Sequence, residues 1–183
     1  MMRFIWLVRG FIYKPFFGKF GAFSYLGKPV FLYNISKIFI GKKVRIYPNV
    51  RLEVHGKDSR IEIQDDTRIA QNVHITSGAN LVIGKSTTIL ANTFITNIDH
   101  DYSEIGVNIL DQKMIIKETI IGENCFIGIG VAIQAGTILG KQCIVGANSV
   151  VRGSFDDYSV LVGSPAKVVK KYNFDSQQWE KIL

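Results

Sequence analysis

The 183-residue chain is poor in several features that define large protein classes. Its two cysteines, Cys125 and Cys143, are too few for a disulfide framework. Its three histidines, His55, His74 and His100, lie 19 and 26 residues apart, a spacing that predicts no metal site of the zinc type built from three histidines, two of them close in sequence. Four prolines, twelve phenylalanines and 47% hydrophobic residues argue against disorder. No long apolar run is present. Residues 4–8 are too few to span a bilayer, and Arg9 and Lys14 follow them. With no small-residue cleavage site after that run, a secretory signal is not expected and a cytoplasmic chain is.

Acidic residues are missing altogether before Glu53, whereas ten lysines and arginines, from Arg3 to Arg51, precede it. The net charge of +7 is therefore concentrated at one end. A cationic block can meet nucleic acid, anionic lipid or an acidic substrate. Here it is interleaved with Phe11, Phe16, Phe17, Phe20 and Phe23, which favours lipid or a neighbouring subunit. No RNA-reading motif is found, so no nucleic-acid partner is expected, while peripheral contact with an inner membrane face is.

What is present is a period. Ile115, Ile121, Ile127, Ile133, Leu139, Val145 and Val151 recur every six residues. Four residues after each of the first six stands a small or β-branched residue: Thr119, Cys125, Val131, Thr137, Cys143 and Ser149. Gly122, Gly128, Gly140 and Gly146 directly follow four of the aliphatics, and the same template runs upstream from Ile40 to Thr93 with two phase slips. A sixfold period fits neither a helix nor a strand meander. It fits a chain that turns a corner every six residues and closes a triangular coil about every eighteen, with aliphatics stacked inside and coils about 4.8 Å apart. The fold class predicted is an all-β parallel β-helix, with Cys125 stacked on Cys143 and glycine at corners that penalise a Cβ.

Three segments follow. Residues 1–36 show no sixfold pattern and predict a capping segment, with a helix near 2–13 and an extended stretch over the open end. Residues 37–171 are the β-helix domain, interrupted by an inserted loop at 97–114 and closed by a strand near 158–171. Residues 172–183 predict a helical tail, since Asp175 and Gln178 resemble a capping box. The loop is the candidate for chemistry, because long insertions in regular scaffolds are usually functional. It carries His100 between Asp99 and Asp101, then Tyr102.

The run of residues 121–128, residues 144–151, and Gly163-Ser164-Pro165-Ala166-Lys167 resemble the hexapeptide-repeat acetyltransferases, over roughly residues 37–171. That family includes the galactoside and maltose acetyltransferases and the O-acetyltransferases of bacterial surface polysaccharides. Gly27-Lys28-Pro29 leading into residues 38–41 is most similar to the polysaccharide branch. The resemblance implies left-handed winding, a homotrimer, acetyl-CoA as acyl donor and a carbohydrate acceptor, with lipopolysaccharide or a polysaccharide precursor foremost. It implies His100 as general base, a task suited to an imidazole whose pKa lies near neutrality, with Asp99 and Asp101 as local candidates to orient the ring. It places Phe126, Gly128, Ile129, Ala147, Arg152, Lys167 and Lys170 beside coenzyme A, and Asn72, Asn92 and Tyr102 toward the acceptor. Phe126 stands where the family usually has Trp, which removes an indole donor. For His55 and His74 an ordinary surface or satisfied role is the expectation.

Two classes compete with this reading. The γ-type carbonic anhydrases share the fold, but the histidine spacing fails them. A non-catalytic β-helix scaffold needs no histidine-bearing loop beside its most regular coils. Among acetyltransferases, a small soluble acceptor such as a free sugar, serine or an antibiotic stays open.

Overall fold

The computed structural model describes residues 2–182. Among these residues, two- to five-residue strands stack in parallel into the three faces of a prism, in sheets of seven, nine and six strands, the nine being completed by two antiparallel strands, Ala166–Asn173 and Gln178–Lys181. The aliphatics six apart do line its inside. On the first face Ile63, Ile83, Ile121 and Leu139 stand over one another. On the second Ile69, Ile89, Ile127 and Val145 do so. On the third the column is Ile75, Ile95, Ile133 and Val151. All are essentially inaccessible to solvent. Each such side chain contributes about 1.5–3 kcal/mol of burial, and no coil could bury its inner face alone.

The small residues four places on are buried too, and the polar ones close the corners. The Thr67 hydroxyl donates to the Gln64 carbonyl at 2.8 Å, and that of Thr93 to Leu90 at 2.8 Å. Parallel pairing of Phe126 with Ile144 stacks Cys125 on Cys143, as the period requires. Their thiols donate to the carbonyls of Gly140 and Asp156 at 3.1 and 3.2 Å.

The glycines have a different cause from the one expected. Gly122, Gly128, Gly140 and Gly146 do not adopt left-handed backbone angles; the corners that do are held by residues such as Asn72, Asn92 and Asn148, with φ of 59°, 61° and 56°. Glycine is required at these four positions because neighbouring coils approach closely there. A Cβ on Gly122 would lie 2.4 Å from the Gly140 carbonyl oxygen, and one on Gly128 2.7 Å from the Ala147 nitrogen.

The ends also depart from expectation. The helix Met2–Tyr13 is present as predicted. Residues beyond it do not merely cover the prism: Lys19–Phe20, Tyr25–Leu26 and Phe31–Tyr33 form a first coil of their own, in register with the next. Its inward residues Phe20, Leu26 and Leu32 are again six apart. Trp6 of the helix packs on Tyr25 and Tyr47, at 5.6 and 5.3 Å between ring centroids. The expected strand near 158–171 is two, Ser159–Gly163 and Ala166–Asn173, paired antiparallel. The tail is not a helix. Gln178–Lys181 adds a further antiparallel strand, because Asn173 accepts the Asp175 N–H at 2.9 Å in a turn and Tyr172 packs on Trp179. Ile115 is no core residue either; it sits half-buried on the inserted arm.

Candidate active site

The inserted segment is an arm with a stem. The chain leaves the third face after Phe94–Thr96, runs out as Ile98–His100, returns antiparallel as Met114–Ile116, and rejoins the first face at Thr119–Ile121. Asn97 pins the exit. Fully buried, it accepts the Gly78 N–H at 2.7 Å, donates to Ser77 Oγ and the Asn80 carbonyl at 3.1 and 3.2 Å, and its own carbonyl accepts the Lys117 N–H at 2.9 Å. Gly78 leaves room for the stem: a Cβ there would meet Ile116 at 2.5 Å. The tip is folded around Gln112, which bonds the Glu104 and Val107 backbone, and exposes Tyr102, Ile105 and Leu110.

His100 is carried at the end of the outgoing stem strand, above a groove of roughly 350 Å³ that it shares with His55, Thr76, Phe94, Thr96, Ile98 and Met114. Its Nδ1 is buried and has no hydrogen-bond partner among the described residues. Neither neighbouring carboxylate bonds the ring. Asp99 turns away: Oδ1 accepts the His100 backbone N–H at 3.0 Å and Oδ2 accepts Arg152 Nη2 at 3.1 Å. Asp101 accepts the Ser103 N–H at 2.9 Å, a bond that holds its carboxyl below the usual range. Both therefore shape the arm's backbone rather than the imidazole.

Three of the residues expected beside coenzyme A gather on one corner of the prism. Gly128 and Ile129 occupy the turn between the second and third faces, and Ala147 lies one coil beyond, where the Asn148 N–H donates to the Ile129 carbonyl at 2.9 Å. Phe126 approaches that corner along the second face, 43% exposed. Lys167 and Lys170 lie on the outgoing strand of the C-terminal hairpin, against Val162 and Val160. Within one chain these residues do not meet His100. The third face, about 15 Å of strand at 3.3 Å per residue, separates their corner from the arm. Asn72 and Asn92 bond each other at 3.0 Å on that same corner, outside the groove, and Tyr102 is on the exposed arm tip.

One polar cluster escaped the sequence reading. Glu53 points outward from the third-face strand Arg51–Val54, yet it is 6% exposed. Arg51 pairs with one oxygen, which also meets His74 Nε2 at 2.9 Å, while the other lies 3.3 Å from His55 Nε2. Arg51 above all, then the two imidazoles, hold the carboxyl below its ordinary range against the opposing effect of burial. His55 and His74 are thus satisfied, as expected, but by one shared buried acid.

Known proteins bear on this arrangement. The family described as bacterial transferase hexapeptide (six repeats) matches residues 118–153. WbbJ of Escherichia coli strain K12, named for lipopolysaccharide-biosynthesis O-acetyl transfer, is 33% identical over 162 residues, spanning 84% of this chain and 81% of that one. Rv3034c of Mycobacterium tuberculosis, named as an acetyltransferase, is 32% identical over 80% of this chain, which spans only 49% of it. Among solved structures, a serine-to-alanine mutant of AntD, an N-acyltransferase from Bacillus cereus held in complex with dTDP-4-amino-4,6-dideoxyglucose and coenzyme A, superposes with a TM-score of 0.78 at 22% identity, over 92% of this chain and 91% of that one. The hexapeptide-repeat acetyltransferase VCA0836 of Vibrio cholerae gives 0.57 at 22%, over 92% and 81%.

Proposed function

Because the chain belongs to the hexapeptide-repeat acetyltransferases, we propose that it transfers acetyl from acetyl-CoA to a sugar hydroxyl of a bacterial surface polysaccharide or its precursor. The observation that carries the mechanism is His100: an imidazole on a pinned arm, facing a groove, with one ring nitrogen buried and unpartnered among the described residues. His100 takes the proton of the acceptor hydroxyl as that oxygen attacks the thioester carbonyl. The C–S bond then breaks and the proton passes to the departing thiolate. A base so placed contributes about 10²–10⁴-fold.

The donor lies against Phe126, Gly128, Ile129 and Ala147, with Lys167 and Lys170 at its phosphates. Arg152, already engaged by Asp99, positions the arm instead. Since a full face separates that corner from His100 in one chain, the reading requires a homotrimer in which one protomer's corner faces another's arm. The arm tip supports this, with Ile105 96% and Leu110 76% exposed. Such apolar side chains on an insertion suit a neighbouring protomer.

No described helix is long and apolar enough to cross a membrane. The N-terminal helix nevertheless exposes Phe4, Ile5, Phe11 and Ile12 beside the acid-free cationic segment. That combination fits peripheral binding to an anionic inner membrane face, where lipid-linked glycans are assembled. Cosedimentation with phosphatidylglycerol vesicles at low salt, reversed by high salt, is expected; no binding at low salt rejects the membrane contact. The activity is tested by free-thiol release from acetyl-CoA across a panel of glycosides and nucleotide sugars. Acetylated product from a glycoside supports the reading, and acceptance of serine or an antibiotic alone replaces it.

A further inference from the structure

Outward positions of the β-helix normally hold solvated or small side chains, and folding does not call for a buried acid on the third face. In register with Glu53 stand Tyr33, Thr76 and Thr96 on the neighbouring coils. Removing a carboxylate from water is costly unless it is paired and hydrogen-bonded. Glu53 meets that cost with three partners from two coils, Arg51, His55 and His74. An imidazole that donates through Nε2 to this carboxylate keeps Nδ1 as an acceptor in its neutral form. Each ring is also held by an aromatic neighbour. His55 lies against Tyr33 at 5.2 Å and His74 against Phe94 at 5.0 Å.

The cluster opens into the groove of His100 through His55, which lines it together with Thr76, Phe94 and Thr96. The same face therefore offers an oriented imidazole acceptor, the Thr76 hydroxyl and partly exposed aromatic rings next to the base, while the buried Thr96 hydroxyl is engaged by the Ile98 backbone N–H at 2.9 Å. Phe94 is 37% and Tyr33 45% exposed. Polar groups fixed in direction beside aromatic surface suit a ring with hydroxyls at its edge and C–H groups on its face, as a pyranose has.

Resting on the acyltransferase reading above, we infer that this face is the acceptor subsite: His55 hydrogen-bonds a sugar hydroxyl adjacent to the one His100 deprotonates. Glu53, braced by Arg51 and His74, is a positioning residue that sets the direction of the His55 ring. The acceptor is then held by one chain's third face, while the donor arrives from the corner of a neighbour.

The test is saturation-transfer NMR with a panel of methyl hexopyranosides on the intact protein, alongside thiol release with acetyl-CoA. Saturation transfer to at least one glycoside is expected from the wild type and from His100→Ala. It should be lost in His55→Ala and in Glu53→Gln, and partly restored in His55→Asn, whose amide can still donate to Glu53. All variants are checked for native circular dichroism. For a turned-over glycoside, the apparent KM should rise about tenfold or more in His55→Ala, with the acetyl-CoA KM within twofold. No transfer to the wild type, or undiminished transfer to folded His55→Ala, overturns the subsite even if Glu53→Gln fails to fold. Glycoside binding with the expected variant pattern but no thiol release in any protein supports the subsite and defeats the acyltransferase reading instead.

Discussion

Arg152 and Asp99 offer the sharpest quantitative test of how the arm is held. Arg152 Nη2 lies 3.1 Å from Asp99 Oδ2, and Asp99 Oδ1 accepts the backbone N–H of His100 at 3.0 Å, so the guanidinium on the sixth coil is tied through one carboxylate to the His100 backbone. The two side chains are 52% and 36% exposed. An ion pair that open contributes about 0.2–1 kcal/mol, which changes the population of a correctly held arm by at most about fivefold. Asp99→Asn keeps the acceptor for the His100 N–H and removes the charge. Arg152→Ala removes the tether altogether. Each should lower kcat by up to about fivefold, leave the acetyl-CoA KM within twofold, and shift Tm by less than about 3 °C. In a double-mutant cycle the effects should overlap rather than add, with a coupling near 0.2–1 kcal/mol that shrinks in 0.5 M salt. Fully additive effects, or a tenfold rise in acetyl-CoA KM in Arg152→Ala with kcat unchanged, would refute the tether and return Arg152 to the donor phosphates.

Two further outcomes follow from the structure. Glu53 has a carboxyl held below its unfolded value, so it adds stability above about pH 4, the ordinary carboxylate range, and that stability is lost as pH falls through the folded pKa. Acid titration followed by circular dichroism should show a shallower loss of stability below pH 4 in Glu53→Gln than in the wild type; equal slopes contradict the buried-acid account. Gly122→Ala forces a Cβ to within 2.4 Å of the Gly140 oxygen, so the coils must part. It should destabilise by about 1–3 kcal/mol, as overpacking does, seen as a fall in Tm. A Gly122→Ala protein as stable as the wild type would contradict the close-approach explanation.

The prism was legible in the sequence because its core obeys a strict local rule. Ile121, Ile127, Ile133 and Leu139 repeat without interruption, and the register follows from counting. The first coil obeys the same rule through Phe20, Leu26 and Leu32, but eight residues separate Leu32 from Ile40, and that slip hides the phase. Its dense aromatics read instead as interface. The C-terminal tail misled for a different reason. Asp175 and Gln178 satisfy a helix-capping pattern, yet strand pairing of Tyr172 with Trp179 outweighs local propensity. Glu53 was illegible on principle: its partner His74 is 21 residues away, and only the coil length brings them together. Asn97 has the same character, since its ligands come from Ser77, Gly78 and Asn80 one coil earlier. Once the coil length is known, a search for polar residues about twenty apart on one face would find both.

The central claim is that the His100 imidazole accepts the proton that acyl transfer releases. It is tested most directly by acceptor-dependent thiol release from acetyl-CoA in His100→Ala, with fold and oligomeric state verified. A loss of about 10²–10⁴-fold in kcat, with the acetyl-CoA KM little changed, is the predicted result. A folded His100→Ala protein that turns over within a few-fold of the wild type would contradict it.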